Sequence, residues 1–183
     1  MRQEAIGKPK ELYCRLIWAH RKDLNMNSNL LLVLAFAIGI IAGLRALTAP
    51  AVICWMAHFG VLHLEGSRLS FMGTTVAVAV FTLLAGVEIV NDKLPKTPPR
   101  TAAVSFAARV VMGILAASAL AMAGGGVVPV CAVLGAVGAI VGTYGGYFAR
   151  TGAVKALDSP DFVIALVEDA VAIVGATFLV SRL

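Results

Sequence analysis

The sequence LLLVLAFAIGIIAGLRALTA, residues 30–49, is apolar throughout except for Arg45 and Thr48. A helix needs about 20 mostly apolar residues to cross the hydrocarbon core of a bilayer. The stretch therefore predicts a membrane-spanning helix. Pro50 follows it directly. Because proline kinks or ends a helix, residues 50–64 are expected either to continue this span with a kink or to form a helix at the membrane interface.

Four further apolar stretches of similar length follow along the chain. They cover residues 71–91, 101–123, 127–149 and 161–181. None of them alternates apolar and polar residues as the strand of a membrane barrel does. The sequence therefore predicts an all-α integral membrane protein, with one transmembrane domain over residues 29–183 and a bundle of about five transmembrane helices.

The composition favours the same class. Of the 183 residues, 60% are hydrophobic and only 14% are charged, whereas a soluble domain is about half apolar and about a quarter charged. This excludes an ordinary cytosolic globular protein, a disordered chain and the usual kind of nucleic-acid-binding protein. The three cysteines form no Cys-x-x-Cys pair, which argues against a disulfide framework and a cysteine zinc site. We expect no metal and no cofactor.

The basic residues are distributed unevenly between the predicted loops. Short loops rich in lysine and arginine remain in the cytoplasm. In a five-span arrangement one face carries only Arg68 and Arg182. The other face carries Arg2, Lys8, Lys10, Arg15, Arg21, Lys22, Lys93, Lys96, Arg100, Arg150 and Lys155. This asymmetry predicts a cytoplasmic N-terminus, a C-terminus on the far side, and anionic lipid bound at the cytoplasmic face.

The first 28 residues are polar and precede the first span. One interpretation is a cytoplasmic arm that lies on the membrane surface. The other is that translation begins at Met26, so that most of this arm is never made. The sequence leaves both interpretations open.

Four motifs connect the chain to a known family. They are GLRALTAP at 43–50, EIVNDKLPKTPPR at 88–100, GAVGAIVGTYGGYFAR at 135–150 and ALVEDAVAI at 165–173. Together they resemble a family of small bacterial multi-pass membrane proteins defined only as a domain of unknown function (family 4126), and the resemblance extends from about Leu30 to the end of the chain. It implies an all-helical protein of the bacterial inner (plasma) membrane and implies no activity.

Charged residues inside the predicted spans are the candidate functional residues. A charge near the bilayer centre costs about 2.5–3.5 kcal/mol on insertion scales, and such residues usually serve ion or proton pathways. Glu88, Asp92, Glu168 and Asp169 are therefore expected to bind a cation or a proton. Arg109 is expected to act as their counter-charge in the inner half of the membrane, paired with either Glu88 or Glu168. Arg45 is expected to lie alone in the outer half, where it guards the far-side mouth.

Glycines recur at helical spacing in the first and fourth spans. They are Gly39, Gly43, Gly135, Gly138, Gly142 and Gly146. Small residues spaced in this way let membrane helices approach closely. The pattern predicts tight helix packing, either within one protomer or between protomers.

Two functional hypotheses follow from these residues. The first is a small cation- or proton-coupled transporter or channel-like protein that uses the intramembrane carboxylates. The second is a non-catalytic membrane scaffold or subunit, in which the charges and glycines specify helix packing and the binding of a second copy or a partner membrane protein. A third hypothesis is a membrane enzyme that acts on lipid. No recognised catalytic motif is present, so we do not expect an enzyme.

Overall fold

A computed structural model describes residues 28–92, 102–157 and 161–183. Within these ranges the chain forms helices and no strands, which confirms the all-α class. The helices are α1 (Ser28–Leu44), α2 (Thr48–His58), α3 (Thr75–Asn91), α4 (Ala103–Ala123), α5 (Val128–Leu157) and α6 (Asp161–Val180), with a short 3-10 helix at Ser70–Gly73 before α3. The predicted polar arm, and with it the choice of start codon, lies outside the described residues.

Three of these helices are long and apolar enough to cross a membrane: Ala103–Ala123, Val128–Ala156 and Phe162–Val180. Helices α1 and α3 are also apolar but have only 17 residues each. Large apolar side chains point outward, for example Leu83, Val111 and Val174, while alanines fill much of the interior. An exterior this apolar is unfavourable in water. The protein is therefore a helical membrane protein, and the count of about five spans stays a prediction.

Helix α1 lies at the centre of the bundle and packs against α4, α5 and α6. The glycine pattern explains how closely α1 and α5 approach. A Cβ atom added to Gly39 would overlap the carbonyl of Gly135, and one added to Gly43 would overlap the carbonyl of Ala139. Only glycine leaves room for main chains this near to each other.

The remaining predicted glycines lie in the same part of α5. A Cβ atom added to Gly138 or Gly142 would overlap main-chain atoms of α1, and Gly146 is buried one turn further along. Gly135, Gly138 and Gly142 therefore lie between helices of one chain.

The two ends of the described chain lie on the same side of the bundle. Near the start of α1, Leu31 lies against Gly124 and Gly126 in the α4–α5 turn, and the C-terminal Leu183 also lies against Gly124. We call this side the Gly124 end. The opposite side, formed by the first turns of α4 and α6 and the last turns of α5, is called the Arg150 end. The described helices thus begin and end on one side, unlike the opposite-side termini expected from five spans, and the orientation of the full chain stays a prediction.

This difference arises from an additional helix. The α1 helix stops at Leu44, and α2 begins at Thr48 with Pro50 in its first turn, where proline is tolerated. Helix α2 then runs antiparallel to α3: the Trp55 Nε1 donates to Thr82 Oγ1 at 3.0 Å. Segment 50–64 thus neither continues the first span nor stands alone at an interface. It contains a helix that packs against α3 and α6.

Candidate functional site

The site is built around the break between α1 and α2, at residues 45–47. A helix end leaves main-chain carbonyl and N–H groups without intrahelical partners. Inside an apolar bundle no water replaces them, so other groups must satisfy them. Charged side chains from α3 and α4 do most of this here, together with the Thr143 hydroxyl of α5.

Glu88 from α3 binds the first N–H groups that precede α2. Its Oε1 accepts a hydrogen bond from the Ala46 N–H at 2.8 Å, and its Oε2 accepts one from the Leu47 N–H at 2.9 Å. A carboxylate at this position also interacts favourably with the positive end of the α2 dipole. Glu88 therefore acts as a cap for α2 that comes from a distant part of the chain.

Arg109 from α4 binds the opposite end of the break. Its Nη1 donates to the carbonyl of Gly43 at 2.7 Å and to the carbonyl of Leu44 at 2.5 Å. A guanidinium here complements the negative end of the α1 dipole. The Nη2 of Arg109 lies 3.8 Å from Glu88 Oε1. Of the two pairings that the sequence left open, the structure thus has Arg109 beside Glu88.

Arg45 lies inside the break and is completely buried, with 0% of its side chain exposed. Its Nη1 forms an ion pair with Asp92 Oδ2 at 2.5 Å, and its Nη2 forms one with Asp169 Oδ1 at 2.5 Å. The expectation that Arg45 lies alone in the outer half is wrong. Because α1 runs antiparallel to α4 and α6, the end of α1 lies level with their first turns rather than across the membrane from them.

Glu168 is separate from this group. Its Oε2 lies 3.7 Å from Arg150 Nη1 on α5, near the Arg150 end. Adjacent residues on a helix point about 100° apart, so Glu168 and its neighbour Asp169 face different partners. The structure therefore brings Glu88, Asp92 and Asp169 together with two arginines and leaves Glu168 outside that cluster.

Three polar residues around the break were not singled out from the sequence as site residues. The Thr143 Oγ1 lies 3.3 Å from the Gly43 carbonyl and donates to the Ala139 carbonyl at 2.7 Å. Ser105 Oγ accepts from Arg109 Nε at 3.4 Å, and Arg150 pairs with Glu168. The sequence could have indicated Thr143, because it places a hydroxyl in the middle of a glycine-rich apolar helix. Such hydroxyl groups form hydrogen bonds between membrane helices.

A cleft of about 310 Å³ opens between α3 and α4 directly beside the break. Its polar lining includes Glu88, Asp92, Ser105 and Arg109, and its apolar lining includes Leu84, Val87 and Met112. The cluster is therefore reachable from one side. Within the described ranges no group of three or more histidine, cysteine, aspartate or glutamate side chains could hold a metal ion.

This arrangement concentrates opposite charges in a place with little water. Coulomb interactions are stronger there than in bulk water, and each charge is costly to leave without a partner. A change in the charge of one carboxylate therefore affects its arginine and, through it, the other carboxylate. The site can therefore couple the charge states of two carboxylates through the arginine between them.

Comparison with known proteins gives a family and no activity. Neither the curated proteins nor the solved structures contain a match to this chain. A family model described as "Domain of unknown function (DUF4126)" matches residues 32–181, which include the break, all the charged residues around it and the glycines of α1 and α5. The chain therefore belongs to the DUF4126 family.

Proposed function

We propose that this membrane protein is a small transporter or channel-like protein that binds a proton or a cation at the helix break. The observation that carries the proposal is the break itself, placed inside an apolar bundle with both main-chain ends bound by charged side chains. Discontinuous helices form the ion and substrate sites of many transporters. Ionisable residues buried in membrane helices commonly belong to ion or proton pathways.

The proposed roles follow from the contacts. Glu88 and Arg109 hold the main-chain ends of α2 and α1 and keep the break open. Arg45 joins Asp92, at the C-terminal cap of α3, to Asp169 on α6. When one of these two aspartates takes up a proton or a cation, its attraction to Arg45 weakens and Arg45 moves toward the other. The exchange of Arg45 between them couples ion binding to the separation of α3 and α6.

The proposal includes an orientation. We place the Arg150 end in the cytoplasm, because the loops at that end are the more basic ones. The basic residues in and around them are Lys93, Lys96, Arg100, Arg150 and Lys155, against Arg182 at the Gly124 end and Arg68 in the α2–α3 connection. This assignment applies to a chain that starts at Met26, because residues 2–22 carry six more basic residues and precede α1, which begins at the Gly124 end. The C-terminus then lies outside, in the plasma membrane of a bacterium, and the cytoplasmic basic residues bind anionic lipid head groups.

The alternative function is a non-catalytic scaffold or subunit. The observation in its favour is that Glu88 and Arg109 bind main-chain groups, which is also what a purely structural clamp requires. In that case the network fixes helix packing, and the outward apolar faces bind a second copy or a partner membrane protein. A lipid-modifying enzyme has no comparable observation in its support.

Flux measurements in proteoliposomes separate the two functions. We expect the wild-type protein to carry protons or a monovalent cation above the background of empty vesicles, and Asp169→Asn to lose this flux. The matched control is Glu65→Gln, since Glu65 is exposed in the α2–α3 connection. Wild-type vesicles that conduct no more than empty ones would exclude transport and leave the scaffold.

A further inference from the structure

The cleft between α3 and α4 has the size of a small-molecule site. Its volume of about 310 Å³ is at the lower end of the range of about 300–1,000 Å³ that is typical of ligand pockets. One wall is formed by Leu84 and Val87 of α3, and the other by Ala108 and Met112 of α4. Charged and hydroxyl groups lie where these walls meet the helix break. An apolar pocket with a few convergent polar groups is the usual form of a ligand site.

The two carboxylates in the cleft have acceptor capacity left. Glu88 and Asp92 are one helical turn apart on α3, so both lie on the same face. Their side chains are 12% and 17% exposed. Each oxygen of an ionised carboxylate offers about two lone-pair sites. Glu88 accepts one main-chain N–H on each oxygen, and Asp92 is paired with Arg45 through Oδ2. Further donors can therefore bind from the cleft side.

The guanidinium group of Arg109, which lines the cleft, already has hydrogen-bond partners. Arg109 is only 2% exposed, and its Nη1 donates to two carbonyls while its Nε donates to Ser105. Its Nη2 is directed toward Glu88. An anionic ligand would thus meet two carboxylates and an arginine whose donors are engaged. With the buried Arg45 and Asp169 behind the cleft included, three carboxylates face two guanidinium groups, so the net charge favours a cationic ligand.

We infer that the cleft binds a primary ammonium compound with an apolar body, either an alkylamine or the amine head group of a lipid. A primary ammonium has three N–H donors, which match Glu88, Asp92 and the Ser105 hydroxyl. The apolar body of the ligand packs against Leu84, Val87 and Met112. A hydrated inorganic ion has no apolar surface and would leave these side chains in contact with its water shell. A quaternary ammonium has no N–H donor and lacks this match. The inference rests on the proposed function, for which it names the substrate class.

The test uses the full chain in phosphatidylcholine nanodiscs and follows the unfolding temperature. A ligand that binds the folded state raises this temperature by mass action. We expect n-hexylamine to raise it saturably, and n-hexanol and hexyltrimethylammonium to leave it unchanged. Leu84→Trp should fill the cleft and abolish the response. Leu83→Trp is the matched control, because Leu83 is 70% exposed and does not line the cleft.

A second set of nanodiscs distinguishes the two sources of the amine. If the head group of a lipid is the ligand, phosphatidylethanolamine raises the unfolding temperature of the wild type and removes the response to hexylamine. If a free alkylamine is the ligand, the response to hexylamine persists in phosphatidylethanolamine. A protein that responds to neither amine, or that responds equally to hexanol, overturns the inference.

The same preparations separate this inference from the proposed function. Ion flux without any amine response overturns the ammonium site and leaves transport intact. A response to amine that Leu84→Trp abolishes, in vesicles that carry neither ions nor amine, supports the site and overturns transport.

Discussion

Replacement of Arg45 by methionine is the sharpest perturbation of the helix break. The guanidinium is fully buried and forms ion pairs with both Asp92 and Asp169. Methionine has a similar length and no charge, so Arg45→Met removes both ion pairs and leaves two carboxylates without this partner. The cost comes from those carboxylates rather than from the lost attraction alone, because a charge left buried without its counter-charge is strongly unfavourable.

The size of the effect follows from the burial of the pair. Removal of one partner from a buried ion pair costs about 3–5 kcal/mol. For a chain of this length, 1 kcal/mol corresponds to about 2–4 °C in unfolding temperature. Arg45→Met is therefore expected to lower the unfolding temperature by roughly 6–20 °C. The assay is thermal unfolding in detergent or nanodiscs, followed by circular dichroism at fixed pH.

The decisive comparison is a variant that removes all three charges. The triple variant Arg45→Met, Asp92→Asn, Asp169→Asn leaves no charge at any of these three positions. Replacing a buried ionic cluster as a whole is often neutral or stabilising. We expect the triple variant to regain most of the lost stability. If it unfolds at a temperature no higher than Arg45→Met alone, the ion pairs are not what holds the break, and the reasoning fails.

Three further predictions concern other parts of the fold. Gly39→Ala places a Cβ against α5 and should destabilise the protein by about 1–3 kcal/mol. Gly86 has open space around it, so Gly86→Ala should stabilise the protein by about 0.5–1 kcal/mol. Equal unfolding temperatures for the two variants would contradict the close packing of α1 against α5. Glu88→Gln replaces one carboxylate oxygen, which accepts a hydrogen bond from a main-chain N–H, with an amide nitrogen that cannot accept one. It should cost about 1–3 kcal/mol in thermal unfolding, and an unchanged unfolding temperature would show that the cap on α2 is dispensable. For the orientation, a cysteine at Ser181 should react with an impermeant maleimide in intact cells and one at Thr151 only after permeabilisation, and the reverse pattern would invert the assignment.

The membrane class and most helix positions could be predicted from the sequence. Apolar length is a local property, so the stretches at 101–123 and 161–181 closely match α4 and α6, whereas α5 continues eight residues beyond the predicted end at 149. The glycine spacing also predicted that α1 and α5 would each pack closely against a neighbour, although not that they pack against each other within one protomer. The charged residues were recognisable because charge is rare and costly inside a membrane.

The position of the helix break was only partly predictable. Pro50 indicated a disruption, yet α1 ends at Leu44, six residues earlier. Proline is compatible with the first turn of a helix, so it marks the start of α2 rather than the end of α1. What ends α1 is the binding of its carbonyls by Arg109, a residue that is 65 positions further along the chain from Leu44. No local pattern contains that information.

The sequence by itself determined that this protein is helical, that it belongs in a membrane and which of its residues carry buried charge. Each of these properties follows from the hydrophobicity and length of single segments. Only the tertiary structure decided which charges meet: Arg45 with Asp92 and Asp169, Arg109 with Glu88, and Glu168 with Arg150. These pairings depend on the direction of each helix through the bundle. The antiparallel α2–α3 pair returns the chain to the break before α4 begins, and so reverses α4 relative to α1.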